Sequence, residues 1–336
     1  MSAARRYMVY GIGNGIVDKQ VKITQTELEE LHLRKGFMEL AEQAEQERIV
    51  AYLGNRESEL HAGGSAANTI VGLAQMGGTV AYTCSLSDDD FGRHYAADFA
   101  ALGIRLTATL KPVEPTGLCL VLVTPDGERT MKTYLGASTR LTPEDIDEEV
   151  IAQSHWIYLE GYLLAGDSSR AASLHAMALA KKHATRIAYS FSDGFLVANF
   201  GEPLKKIVTE YADLVFANEL EAAAYTGRRD PQDSLAAILQ DCRHACVTCS
   251  ANGSYIHYNG ETRYVPAFAA QPVDLTGAGD MYAAGVLYAL SRQASPEQAA
   301  RLGSRAASYV VRQMGARLPG NLHDTVREIL GPQEHA

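Results

Sequence analysis

Asp274-Leu275-Thr276-Gly277-Ala278-Gly279-Asp280 runs straight into residues 281–290, an apolar stretch of helix-forming composition. The small residues at 277–279 let successive main-chain N–H groups converge where a helix begins. There the first turn has no intrahelical acceptors, and the helix dipole adds partial positive charge. Such a turn can cradle a phosphate without a nearby lysine. Asp280 falls in the first helical turn beside that cradle, placed to accept the proton of an attacking hydroxyl. The same residue types also suit a plain helix start, with Thr276 and Asp280 capping and the glycines turning the chain, so this segment alone leaves both readings open.

Other turns share its character. Gly63-Gly64-Ser65-Ala66-Ala67-Asn68 also leads into a helix, whose first turn offers the Asn68 amide to a ligand's hydroxyls or simply allows close helix–strand packing. Asn14 and Asp18 follow the first strand, at the strand end where open α/β sheets bind ligands, and a carboxylate there suits a diol such as that of a ribose. Asn218-Glu219-Leu220-Glu221 opens another helix after a strand. Glu221 suits a Mg²⁺-bound water and Asn218 a phosphate, although an acidic helix start also complements the dipole by itself.

Several familiar signatures are missing or broken. No G-x-x-x-x-G-K-[ST] string occurs, which excludes a P-loop. Gly11-Ile12-Gly13-Asn14-Gly15 has its third glycine one residue early for a dinucleotide fingerprint. Cys242, Cys246 and Cys249 have the spacing of iron–sulfur ligands, yet residues 246 and 249 face opposite sides of a predicted strand and read as core. The histidines show no paired spacing of the zinc kind.

Outward from these turns, short apolar runs at 7–12, 79–84, 156–159, 186–190, 214–217 and 245–248 predict buried strands. Helical periodicity fills 66–76, 91–102, 169–183, 219–226, 280–291 and 296–313. This alternation predicts an α/β fold with a doubly wound sheet. Two regions break the rhythm: 16–23 alternates apolar and polar residues, and 105–134 reads as consecutive strands with turns at Pro112, Pro115 and Pro125-Asp126-Gly127. They predict a small β lobe, usable as a water-excluding lid, as a dimer-forming sheet edge, or as both. Residues 27–53 read as helical, with a break at Gly36.

With 336 residues, 46% hydrophobic and 21% charged, the chain can bury the core of one large domain with a lobe, or of two domains, which excludes a disordered or fibrous protein. A net charge of -10 without a dense Lys/Arg block argues against nucleic acid as a partner. The longest apolar run falls short of the roughly 20 residues a membrane span needs. Polar and glycine residues at Gly11, Gly13, Asn14 and Asp18 interrupt any leader-like segment. Together with five irregularly spaced cysteines, these features predict a cytoplasmic protein with reduced thiols.

Jointly, in this order and spacing, the motifs resemble the ribokinase-like (PfkB) carbohydrate kinases, in a match from Gly11 to Gly315. The likeness is greatest to their adenosine kinase-like branch, through Gly13-Asn14-x-x-x-Asp18, the inserted helices around Leu40-Ala41-Glu42, and His61-Ala62-Gly63-Gly64-Ser65-x-x-Asn68. The resemblance implies a three-layer doubly wound sheet with a small β lid. The large nucleotide-binding domain then comprises 1–16, 63–104 and 136–336, and the lid region 17–62 and 105–135. It also implies ATP with Mg²⁺ and transfer of the γ-phosphoryl group to a hydroxyl of a nucleoside or sugar, an adenosine-like nucleoside being favoured. A free-sugar kinase of the ribose or fructose type and a catalytically silent nucleotide- or sugar-binding regulator are the alternatives. Either a monomer or a homodimer fits.

By the same resemblance Asp280 is the catalytic base, Gly277, Ala278 and Gly279 form the anion hole, and Arg129 contacts phosphate. Asn14, Asp18, Gly63, Gly64, Ser65, Asn68, Glu160 and Tyr162 bind the acceptor. Asn218, Glu221, Thr248, Ser250 and Gly253 join Gly277 and Gly279 in binding ATP, with Glu221 holding Mg²⁺ through water. Asp274 and Thr276 match positions that hold K⁺ in some relatives. Leu275, Met38 and Glu160 depart from the adenosine kinase pattern, Glu160 toward sugar-specific relatives.

Overall fold

The computed structural model describes residues 5–108, 110–112 and 114–331. The apolar runs assemble into a nine-stranded sheet. Its order is Glu261–Val265, Ser254–Tyr258, His244–Thr248, Leu214–Asn218, Arg186–Ser190, Ser154–Glu160, Tyr7–Ile12, Val80–Thr83 and Arg105–Leu106. From His244–Thr248 onward neighbouring strands pair in parallel, and those inside the edge strand Arg105–Leu106 are largely buried on both faces, as their near-continuous hydrophobicity requires. One core cluster joins the helices Ser65–Gln75, Ala278–Ser291 and Pro296–Val310 to one face of the sheet, and a second joins Asp167–Lys182, Gly201–Glu210 and Pro231–Ile238 to the other. Cys246 belongs to the first cluster and Cys249 to the second, and all five cysteines are free and buried. Among the described residues no helix is long and apolar enough to cross a membrane.

A five-stranded sheet in the order Met38–Leu40, Arg129–Tyr134, Gly117–Val123, Ile16–Lys22 and Ser58–Gly63 stands over the strand ends. Period-two alternation divides its faces. Leu118, Leu120 and Leu122 pack with Leu28, Ile49 and Leu53 of the inserted helices, whereas Cys119, Val121, Arg129 and Met131 face the cleft.

Two expectations need correction. The strands Arg105–Leu106 and Leu110–Lys111 do not extend the small sheet: the first pairs with Val80–Thr83 at the edge of the large one, and the second pairs with Leu86–Ser87. The helix Asp90–Ala101 acts as a crossover that returns the chain to its own sheet, a connection that two-residue strands cannot announce in sequence. Residues 27–53 do break at Gly36, which takes φ 80°, but a strand and not helix follows the break. Helices Gln25–Glu30 and Gln43–Leu53 flank the strand Met38–Leu40, which pairs with residues 131–133, so edge pairing overrides local helix propensity.

Three helices fix the site through glycine contacts. A Cβ on Gly72 would lie 2.6 Å from Met281 Sδ and 2.9 Å from Ala284 Cβ, so Ser65–Gln75 packs tightly on Ala278–Ser291. A Cβ on Gly285 would lie 2.5 Å from the Gly303 nitrogen, which brings Pro296–Val310 equally close. Gly285→Val should therefore lower the unfolding free energy in urea by about 1–3 kcal/mol, the usual cost of overpacking. An unchanged midpoint would contradict this backbone approach.

Candidate active site

The tight pairing of Ser65–Gln75 with Ala278–Ser291 brings two helix N-termini together. Across the junction Ser65 Oγ donates to Asp280 Oδ1 at 2.6 Å, and Asn68 Nδ2 donates to Oδ2 at 3.0 Å. Burial pushes the Asp280 carboxyl up to about 6, against the two hydrogen bonds and the Arg317 charge, which hold it down. It is ionised at neutral pH yet poised near enough to accept a proton.

The cradle beside it has the expected shape. Gly277 takes φ 79°, and a Cβ there would meet Ala316 Cα at 2.7 Å, so both conformation and space demand glycine. Gly279 is different: a Cβ would meet nothing within 4 Å, and the residue lines the cleft. The open space over this helix start fits an anion held by main-chain donors. Ala278 does not line the cleft, and its N–H donates to the Leu275 carbonyl at 3.3 Å.

Both features open onto a cleft of about 370 Å³ between the two sheets. Of the residues singled out in the sequence, it brings together Asp18, Gly64, Ser65, Asn68, Arg129 and Tyr162 on the acceptor side. Asn218, Glu221, Thr248, Thr276, Gly277, Gly279 and Asp280 line it on the nucleotide side. Burial raises the Asp18 carboxyl to about 6, opposed by the charges of Arg317, Arg129 and His61. Arg129 reaches from the small sheet to pair with Asp274, and it also donates to Thr276 Oγ1 at 3.1 Å.

Glu221 closes a capping box with Asn218, accepting from its main-chain N–H at 2.9 Å and its side-chain amide at 2.7 Å. Burial lifts Glu221 to about 7, and the charges of Asp193 and Asp280 push the same way. Among the described residues no group of three or more His, Cys, Asp or Glu side chains could hold a metal ion directly. A buried carboxylate facing other acids fits a hydrated Mg²⁺ shared with phosphates.

Other predicted residues stand behind the cleft wall. Glu160 is fully buried and accepts from the main-chain N–H groups of Asn14 at 2.8 Å and Ala66 at 2.6 Å. It therefore braces two strand-end turns and does not line the cleft. Asn14 is held through that N–H and through its carbonyl, which accepts from Tyr82 Oη at 3.0 Å. Gly63 leaves room for the Asp18 carboxylate, which a Cβ would approach to 2.7 Å. Asp274 accepts from Thr276 and from the Gly315 N–H as well as from Arg129, so the oxygens expected to bind K⁺ are already engaged. Ser250 and Gly253 lie in the turn beyond Thr248, outside the cleft lining, with Ser250 Oγ donating to Glu219 at 3.2 Å.

Sequence reasoning missed Cys119, Val121 and Met131 on the lid face, Ser190 and Ser192 at a strand end, and Arg317. Alternation within the two lid strands marks Cys119, Val121, Arg129 and Met131 as one face once the register Met131 to Val121 is known. Nothing local distinguishes Arg317, which acts from a loop distant in sequence.

Residues 41–322 match the model of the pfkB family carbohydrate kinases. The chain belongs to this family. Adenosine kinase from Sinorhizobium meliloti superposes on this PfkB chain with a TM-score of 0.87 at 36% identity, covering 96% of this chain and 99% of that one. Adenosine kinase of Schizophyllum commune is 27% identical over 335 residues, 92% of this chain and 96% of its own length. The 5-dehydro-2-deoxygluconokinase of Listeria monocytogenes is 29% identical over 262 residues, 75% of this chain and 81% of its own. As a PfkB kinase the protein phosphorylates a hydroxyl at the expense of ATP, and its fold is the ribokinase-like one.

Two substitutions separate bracing from chemistry in this PfkB site. Glu160→Gln must turn an amide N–H toward a main-chain N–H, and should cost about 1–3 kcal/mol in chemical denaturation. A stability equal to the parent's would remove the brace. Gly279→Ala should leave the denaturation midpoint at or above the parent value while lowering kcat/KM for ATP roughly tenfold or more, because the methyl group occupies the cradle. Full activity would show that phosphate does not sit there.

Proposed function

We propose that this kinase transfers the γ-phosphoryl group of ATP to a ribosyl hydroxyl of a nucleoside, with an adenosine-like nucleoside as the favoured acceptor. The observation that carries this reading is the split character of the acceptor side. Asp18 and Asn68 offer polar atoms to a diol, whereas Cys119, Val121 and Met131 of the lid, with Tyr162, form an apolar wall suited to a flat base. A free sugar has hydroxyls on every side and leaves that wall without a use. The 36% identity to an adenosine kinase supports the same choice.

In this mechanism the Asp18 carboxylate orients the diol, and the lid sheet excludes water. Asp280 accepts the proton of the attacking hydroxyl, its carboxylate held in place by Ser65 and Asn68. The main-chain N–H groups of Gly277 and Gly279, the two residues of the turn that line the cleft, stabilise charge on the transferred group, and Arg129 exchanges Asp274 for phosphate. Mg²⁺, which Glu221 would hold through water, supplies neutralisation of phosphate charge when bound. A K⁺ ion at Asp274 and Thr276 has to displace the Arg129 guanidinium, which already neutralises that carboxylate. Reduced, buried thiols and ATP as phosphoryl donor suit the cytoplasm.

An ADP-release panel of adenosine, other nucleosides, ribose and fructose tests the acceptor. Adenosine should surpass both free sugars in kcat/KM by roughly a hundredfold or more, because a free sugar leaves the whole base-sized apolar wall unfilled. A free sugar as the better substrate would refute the nucleoside assignment. Asp280→Asn should lose about two to four orders of magnitude in kcat while still binding ATP. Because the Asp280 pKa is raised to about 6 and the ionised form is the working base, wild-type kcat should fall as pH drops through that value. A kcat constant down to pH 5 would contradict a carboxylate base with that titration.

A further inference from the structure

Behind Asp280 the Asn68 hydrogen bond that the mechanism uses continues into contacts that it does not use. Arg317 Nε donates to Asn68 Oδ1 at 3.1 Å, while Asn68 Nδ2 donates to Asp280. A second guanidinium nitrogen of Arg317 donates to Asp98 Oδ2 at 2.8 Å, and the guanidinium lies 5.6 Å from the Phe99 ring centroid. Only 13% of the Arg317 side chain is exposed. The loop that carries it is tied to the phosphate-cradle segment at two further points, the Gly315 N–H to Asp274 at 2.8 Å and Ala316 against Gly277.

We propose that Arg317 is a positioning residue for phosphoryl transfer: it fixes the Asn68 amide so that its N–H faces Asp280, and it places one positive charge behind both Asp280 and Asp18. This inference rests on the reading of Asp280 as the base. The chemistry is directional. A guanidinium only donates, so the Asn68 oxygen must turn toward Arg317, which leaves the amide nitrogen for the carboxylate. Without Arg317 the amide can flip and set an oxygen against an anion. Asn68 is buried and 6% exposed, so solvent does little to correct a wrong orientation.

The charge matters as much as the hydrogen bond. Ionisable groups facing Asp280 include Tyr158 and Glu160 from the strand Ser154–Glu160, Tyr162 just beyond it, and Glu221 from the helix Glu219–Thr226. The two acids oppose its ionisation when charged. The positive charge that acts on Asp280 comes from Arg317, which also heads the charges lowering Asp18, ahead of Arg129 and His61.

The test is the pH profile of kcat, measured with saturating ATP and acceptor for the parent, Arg317→Met, Arg317→Lys, Asp98→Asn and Asp280→Asn, with thermal unfolding followed alongside. Arg317→Met should lower kcat by roughly 10- to 100-fold with a smaller change in KM for ATP. It should also move the acid limb upward by about 0.5 to 1 pH unit. Arg317→Lys should return the limb toward the parent position without restoring kcat, because an ammonium supplies charge but not the Nε geometry. Asp98→Asn, which frees the Arg317 charge and removes no contact with Asn68, should move the limb downward, and it decides the matter if Arg317→Met does not fold. A lower melting temperature with the limb unmoved in Arg317→Met, or an unmoved limb in Asp98→Asn, would overturn the inference. An acid limb that persists in Asp280→Asn would instead remove the base assignment on which it rests.

Discussion

The site depends on two helix N-termini meeting side by side. Ser65–Gln75 and Ala278–Ser291 approach so closely that Gly72 leaves no space for a methyl group against Met281. That contact puts Ser65 and Asn68 within hydrogen-bond reach of Asp280, residues more than two hundred positions away in sequence. Both helix dipoles then point their positive ends at one volume. An acidic chain with a net charge of -10 can thus handle a polyphosphate through fixed dipoles and a few placed cations, with no basic surface patch.

Carboxylates are deployed there at graded cost. Asp280, Asp18, Glu221 and Glu160 all titrate above their ordinary range, and burial is the largest cause for each. Their environments separate their uses. Glu160 spends its oxygens on two main-chain N–H groups and serves as scaffold. Asp280 keeps side-chain donors on both oxygens and faces the cleft. Raised acid pKa values also mean that the folded state binds more protons than the unfolded chain between roughly pH 4 and 7, so these groups weaken the fold as pH rises through that window.

Much of this was legible in the sequence because the relevant signals are local. The parallel strands declared themselves as short apolar runs, and Gly277, Gly279 and Asp280 as a helix start with the spacing an anion site needs. What escaped was non-local. Glu160 carries a carboxylate at a strand end, where a ligand contact is the natural expectation; only its two main-chain partners, far apart in sequence, reveal a brace. Met38–Leu40 sits in helix-forming sequence and becomes a strand because Arg129–Tyr134 offers it an unpaired edge. Arg317 is invisible until folding brings its loop against Asn68.

The central claim is that phosphate lies in the Gly277–Gly279 turn while Asp280 faces the acceptor hydroxyl. A crystal structure of the protein with adenosine and a non-hydrolysable ATP analogue tests this directly. The terminal phosphate should lie within hydrogen-bond distance of the main-chain N–H groups of Gly277 and Gly279, with an acceptor hydroxyl against the Asp280 carboxylate. A terminal phosphate bound away from that turn, or an Asp280 carboxylate directed away from the bound acceptor, would contradict it.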